Sequence, residues 1–133
     1  MKKIKINMLS NADSVDGQGV GSAYLEQVSL IRDELKDDFE VVINNSKPAD
    51  IIHCHTPMGS VITRLVSKKT QKRGTKIVYT VHGFHFYSGA PLLNWGLYFP
   101  IEWLLSFRTD LLITMNQEDF LRAKKLHAKR SEE

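Results

Sequence analysis

The sequence predicts an α/β domain in three layers, a parallel sheet of about five strands between helices. Three observations predict it. Short apolar runs alternate with helical segments of about 10–16 residues, the spacing that right-handed βαβ units need. The runs VVI, DII, KIVYTV and LLI are continuous rather than alternating, as strands buried on both faces are. The glycines, histidines and aromatics that carry chemistry fall just after strands, where open parallel sheets bind ligands. With 133 residues, 42% hydrophobic and 25% charged, the chain can bury one core as a single Rossmann-like domain.

Ile4–Leu9 (IKINML) reads as the first strand, followed by a turn-forming loop, SNADSVDGQGVG. From Ser22 to about Asp37, Tyr24, Val28, Ile31 and Leu35 recur on one face of a 3.6-residue period and predict a helix. Phe39–Ile43 (FEVVI) is the second strand, ended by NNSKP, and Asp50–Cys54 (DIIHC) the third. HTPMGS turns into a helix from Ser60 to about Lys72, which Gly74 ends. Lys76–Val81 is the fourth strand. Leu92–Phe107 reads as a helix broken at Pro100, Leu111–Thr114 as the fifth strand, and Gln117 to about Lys129 as the last helix, with Asn116 as its N-cap.

Composition narrows the function classes. The net charge is +3, and the basic runs SKKTQKRGTK and RAKKLHAKR read as solvated helix faces without interleaved aromatics, so no nucleic-acid partner is expected. A single cysteine, Cys54, forbids an internal disulfide and fits a reducing compartment; its apolar strand makes it core rather than nucleophile. The N-terminal MKKIKINML lacks the apolar stretch of a secretory signal, so a cytoplasmic location is expected. The closest approach to a membrane span, APLLNWGLYFPIEWLLSF, is interrupted by Pro100 and Glu102 but could lie on a membrane.

Four loops should meet on the rim at the carboxyl ends of the strands: GQGVGS, HCHTP, HGFHFYSG and TMNQED. Gly19, Val20 and Gly21 stand where a helix N-terminus favours phosphate, yet Ser22 breaks the dinucleotide pattern, and a flexible turn explains them as well. His53, His55, His82 and His85 all fall on this rim. His53 and His55, two apart on a strand, point to one side. The pair could begin a metal site, but no third ligand stands at a matching spacing, so no metal is expected. His82, followed by Gly83, is the best candidate to hydrogen-bond a sugar hydroxyl. Asn116 and Glu118 are further candidates on the fifth loop.

The glycine-rich loop, ADIIHCHTP, IVYTVHGFHFYSGAPLLNWGLYFPIEWLL and TDLLITMNQEDFLRAKK together resemble the N-terminal domain of family 4 glycosyltransferases, retaining enzymes of the GT-B fold, over nearly the whole chain. HGFHFYSGAPLLNW is most similar to bacterial transferases of capsular polysaccharide and exopolysaccharide, and INMLSNADSVDGQGVGSAYLEQVSLI to transferases that add a second sugar to glycosyl diacylglycerol. The resemblance implies an acceptor-side half that works with a second half binding a nucleotide-sugar donor, a UDP-sugar in particular. It implies that Gly19 to Gly21 approach the donor phosphates, that His82 contacts the transferred sugar, and that no permanent cofactor or protein-held metal is needed.

The chain ends at KRSEE without the further strand, linker and donor domain of that pattern, so alone it is expected to be inactive, with a second polypeptide as a possible source of the donor half. Trp95, Tyr98, Phe99 and Trp103 suit a bilayer interface, and a peripheral position at the inner face of the cell membrane would bring a lipid-linked or glycan acceptor to the cleft. A core helix, or a face covered by a missing half, explains the same residues. A non-catalytic sugar- or lipid-binding module is the alternative to an enzyme part.

Overall fold

The computed structural model describes residues 2–9 and 19–132, with side chains from residue 24 onward in the second span. The elements are β1 (Ile4–Leu9), α1 (Gly19–Glu34), β2 (Phe39–Ile43), β3 (Ile51–Cys54), α2 (Pro57–Val66), α3 (Lys68–Gln71), β4 (Lys76–Val81), α4 (Leu92–Ser106), β5 (Leu111–Thr114), α5 (Gln117–Ala123) and β6 (Arg130–Glu132). They build one six-stranded sheet in the order β2-β1-β3-β4-β5-β6, with every pair parallel. The chain passes from β1 outward to β2 and then returns across β1 to β3. The connections change direction there, so β1 and β3 flank the topological switch point at which such sheets bind ligands.

Two apolar clusters cover the two faces. Ile6 and Met8 of β1 meet Tyr24 and Val28 of α1 on one face, with Ile31 packed against them, as the helical spacing of those residues predicts. On the other face Cys54, Tyr79, Val81 and Leu112 meet Phe84, Phe86, Ala123 and Leu126. Cys54 is buried, and burial pushes its thiol above the usual range, which suits a core residue. The connection from β2 to β3 carries no helix; it is pinned by Asn7, whose side chain donates to the Asn45 carbonyl at 2.6 Å and accepts from its N–H at 3.0 Å.

Several expectations need correction. The sheet has a sixth strand: the last helix stops at Ala123, because Leu126 turns into the core, and β6 then pairs with β5. This edge strand is the polar triplet RSE, which carries no apolar signal. Asp110 ties it in, accepting from Lys129 Nζ at 2.6 Å and from the Ile77 N–H at 2.8 Å. β2 is the opposite edge and is only half-buried despite its apolar run. The helix expected from Ser60 starts at Pro57, capped by Thr56, and divides at Ser67, whose hydroxyl donates to the Arg64 carbonyl at 3.0 Å. α4 runs unbroken through Pro100. Its ring opposes the carbonyl of Gly96, four residues earlier, on an exposed surface where that carbonyl can tilt toward water.

Candidate functional site

Three of the four rim histidines form one cluster at the switch point. His53 of β3 and His55 just after it lie on the same side, with ring centroids 4.3 Å apart, and His82 follows the last residue of β4, its Nε2 3.5 Å from His55 Nδ1. His53 Nε2 shares a 2.8 Å hydrogen bond with Thr80 Oγ1. The edge of Tyr24 from α1 closes over His55 at 5.3 Å, and the His55 backbone N–H donates to the Leu9 carbonyl, joining β3 to the end of β1. His55 is 1% exposed, and its Nε2 has no hydrogen-bond partner among the described residues. His82 is half-buried, with its ring centroid 5.8 Å from that of His55.

The cluster is neutral. Burial, reinforced by the neighbouring His82, holds His53 down to about 4. Burial, then His53 and His82, holds His55 to about 3, and burial alone lowers His82. A neutral imidazole offers one donor and one acceptor, which suits hydroxyl recognition rather than charge pairing. No group of three or more His, Cys, Asp or Glu among the described residues is placed to hold a metal ion.

His85 does not join them. Gly83 has φ +148°, a conformation side chains rarely adopt, and it turns the chain so that His85 stacks on Tyr98 of α4 at 4.6 Å and its carbonyl accepts from Asn94 Nδ2 at 2.9 Å. Asn116 serves as the N-cap of α5, accepting from the Asp119 N–H at 2.8 Å. Glu118 pairs with Arg122, which also reaches Ser88 Oγ at 3.2 Å and so fastens the segment after β4 to α5. Gly19, Val20 and Gly21 form the first turn of α1 instead of a loop before it. The rest of the glycine-rich loop, residues 10–18, lies outside the described residues.

Among the interface candidates, Phe99 is half-buried: its ring meets Phe86 edge-on at 5.3 Å and packs against the core. Trp95 leans on Phe86 and Phe99, and Trp103 sits with Phe107 and His127, each with one side in water. Tyr98 is partly exposed beside His85. No described helix is long and apolar enough to cross a membrane.

Sequence reasoning missed the polar pair beneath this surface. Arg64 of α2, fully buried, grips Glu102 of α4 through both terminal nitrogens at 2.8 and 3.0 Å, donates to Ser60 and lies over the Tyr79 ring at 4.7 Å. The signal was present, since Glu102 interrupts an apolar helix and has to be paired there. α2, α4 and the segment after β4 border a slot of about 170 Å³ beside the pair.

Residues 32–116 match the model of the family described as glycosyl transferase 4-like, which covers most of the chain and both histidine-bearing strand ends. The chain belongs to that family. It is 57% identical over 77 residues to putative glycosyltransferase EpsD of Bacillus subtilis (strain 168), a match covering 58% of this chain and 20% of that protein. It is 47% identical over 55 residues to alpha-galactosylglucosyldiacylglycerol synthase of Streptococcus pneumoniae (strain ATCC BAA-255 / R6), covering 41% of this chain and 15% of that protein. The chain thus spans a minor part of the relatives it matches. No solved structure gives a significant match. As a glycosyl transferase 4-like domain, it places its histidine cluster where a parallel sheet of this kind receives ligands.

Proposed function

We propose that this domain is the acceptor-side half of a retaining glycosyltransferase, moving a sugar from a nucleotide-sugar donor, a UDP-sugar in particular, to a lipid-linked or polysaccharide acceptor. The observation that carries the reading is His82: a neutral, half-buried imidazole at the carboxyl end of β4, backed by His55 at the switch point, in a chain of this family. His82 hydrogen-bonds the transferred sugar, and the start of α1 at Gly19 to Gly21 turns its positive end toward the donor phosphates. Thr80 holds His53, the His53 ring packs on His55, and His55 meets His82, so the contact is set before the sugar arrives.

Transfer needs donor and acceptor held in line, which is the larger part of what such a site contributes. The described residues form one sheet with one switch point, and a donor-binding half completes the cleft. The exposed apolar side chains of α4 suit peripheral binding at the inner face of the cell membrane. The test is transfer of label from radiolabelled UDP-glucose and UDP-galactose to membrane lipid and glycan extract, by purified chain with and without lysate of its own cells depleted of the chain. Product that requires both supports the reading. A folded chain that yields none in any combination overturns the enzyme reading and leaves a binding module.

A further inference from the structure

We propose that His55 is a positioning residue that fixes the tautomer of His82: its Nδ1–H donates to His82 Nε2, so His82 meets the sugar with an Nδ1–H donor and no free acceptor. The proposal rests on the sugar-transfer reading above and names the atom of His82 that makes the contact. His55 Nδ1 and His82 Nε2 face each other at 3.5 Å, the long end of the hydrogen-bond range. Burial keeps both rings neutral, so each carries a single ring proton. Two N–H groups or two lone pairs facing each other repel, so one proton lies between the rings and belongs to one or the other.

The far nitrogen of His55 decides which. His55 is 1% exposed, and its Nε2 has no hydrogen-bond partner among the described residues. If the shared proton were His82's, His55 would carry its own on Nε2, and a buried N–H would lack an acceptor. With the proton on His55 Nδ1, Nε2 keeps only a bare lone pair. Orphaned buried N–H groups are rarer in folded proteins than under-used acceptors, so the second arrangement is favoured. The rings around it hold this orientation. His53 and Tyr24 pack on His55 with centroids at 4.3 and 5.3 Å, and His53 is itself tied through Nε2 to Thr80 Oγ1 at 2.8 Å.

The consequence falls on His82. A neutral ring that accepts at Nε2 carries its proton on Nδ1, and His82 Nδ1 makes no hydrogen bond to another described residue. That N–H is left for a ligand, and it seeks a lone pair on a sugar oxygen. No lone pair remains on the ring to take a proton from a hydroxyl, so His82 orients the sugar and is not the base that activates the acceptor. Exposed imidazoles in water prefer the proton on Nε2, so the cluster imposes the reverse of the default.

In the transfer assay above, His82→Asn sets an amide donor near the place of Nδ1 and His82→Gln sets one near Nε2. The first should keep roughly tenfold more transfer than the second; equal or reversed order contradicts the proposal. The direct test is long-range proton–nitrogen NMR of the chain labelled with ¹⁵N-histidine at about pH 7.5, which reads the protonated nitrogen of each ring. His55 and His82 should both be protonated on Nδ1. His55→Asn, whose amide donor stands near the place of Nδ1, should keep His82 in that form, and His55→Leu should return it to Nε2–H. An Nε2–H signal for His82 in the unaltered chain overturns the proposal even where neither variant folds, and so does an Nδ1–H form that persists in folded His55→Leu. The spectrum needs no donor, sugar or second half, so failed transfer leaves the tautomer standing, and the opposite tautomer leaves His82 as a sugar contact through its other nitrogen.

Discussion

His53, His55 and His82 stay neutral because they are buried against one another, and this gives the cluster a pH signature. With His53 held to about 4 and His55 to about 3, the unfolded chain takes up protons first as pH falls below the ordinary 6.5. Folded-state values are depressed, so their contribution to stability is complete above about 6.5 and is lost as pH falls toward the folded values. Each histidine costs up to about 1.4 kcal/mol per pH unit in that window. Denaturant unfolding at about pH 7.5 and about pH 5 should show the loss, and His55→Gln should reduce it; an unchanged difference in that variant would contradict the assignment. Gly83→Ala should cost about 1–3 kcal/mol through backbone strain alone, since no atom lies within 4 Å of the added methyl. The pairing of His53 with His55 was legible from a spacing of two. The separation of His85 was not, because it depends on the sign of one φ angle at Gly83.

The elements with a clear apolar period were legible, and those held by polar side chains were not. Tyr24, Val28 and Ile31 announce α1, and Asn116 announces the start of α5. β6 depends on Asp110, which reads in sequence only as a charge after a helix. The joint between α2 and α4 depends on the Arg64–Glu102 pair, 38 residues apart. Arg64→Ala should cost about 3–5 kcal/mol, because it leaves the Glu102 carboxylate buried without its partner. The double replacement Arg64→Met with Glu102→Leu should recover most of that loss, and thermal unfolding distinguishes the two cases. Asn116→Ala should cost about 1 kcal/mol as a lost helix cap, measured in the same way.

At the scale of the molecule, one side of the domain is unusually apolar. Leu92 and Leu93 are 89% and 76% exposed, Leu97 and Leu104 follow along α4, and Phe107 stands just past its end. Soluble monomers rarely present so continuous an apolar face without a use for it. Under the peripheral-membrane reading, binding to vesicles containing anionic lipid should weaken in Leu93→Ser with Leu104→Ser, whereas the stability of the fold should not, since neither side chain enters the core. Equal vesicle binding by that variant would remove α4 from the membrane account. The fold class and the rim were legible because strand runs and loop chemistry are local. The exposed face was ambiguous because an apolar helix reads alike whether buried, docked or bare.

The central claim is that His82 contacts the transferred sugar, and the most direct measurement is labelled sugar transfer by the chain plus its depleted lysate, with His82→Ala beside His85→Ala. The account predicts a fall of roughly 100-fold or more for His82→Ala, the scale of losing a preorganised donor at the reacting centre, with His85→Ala retaining transfer. Transfer that persists in His82→Ala, or that fails equally in both variants, would contradict it.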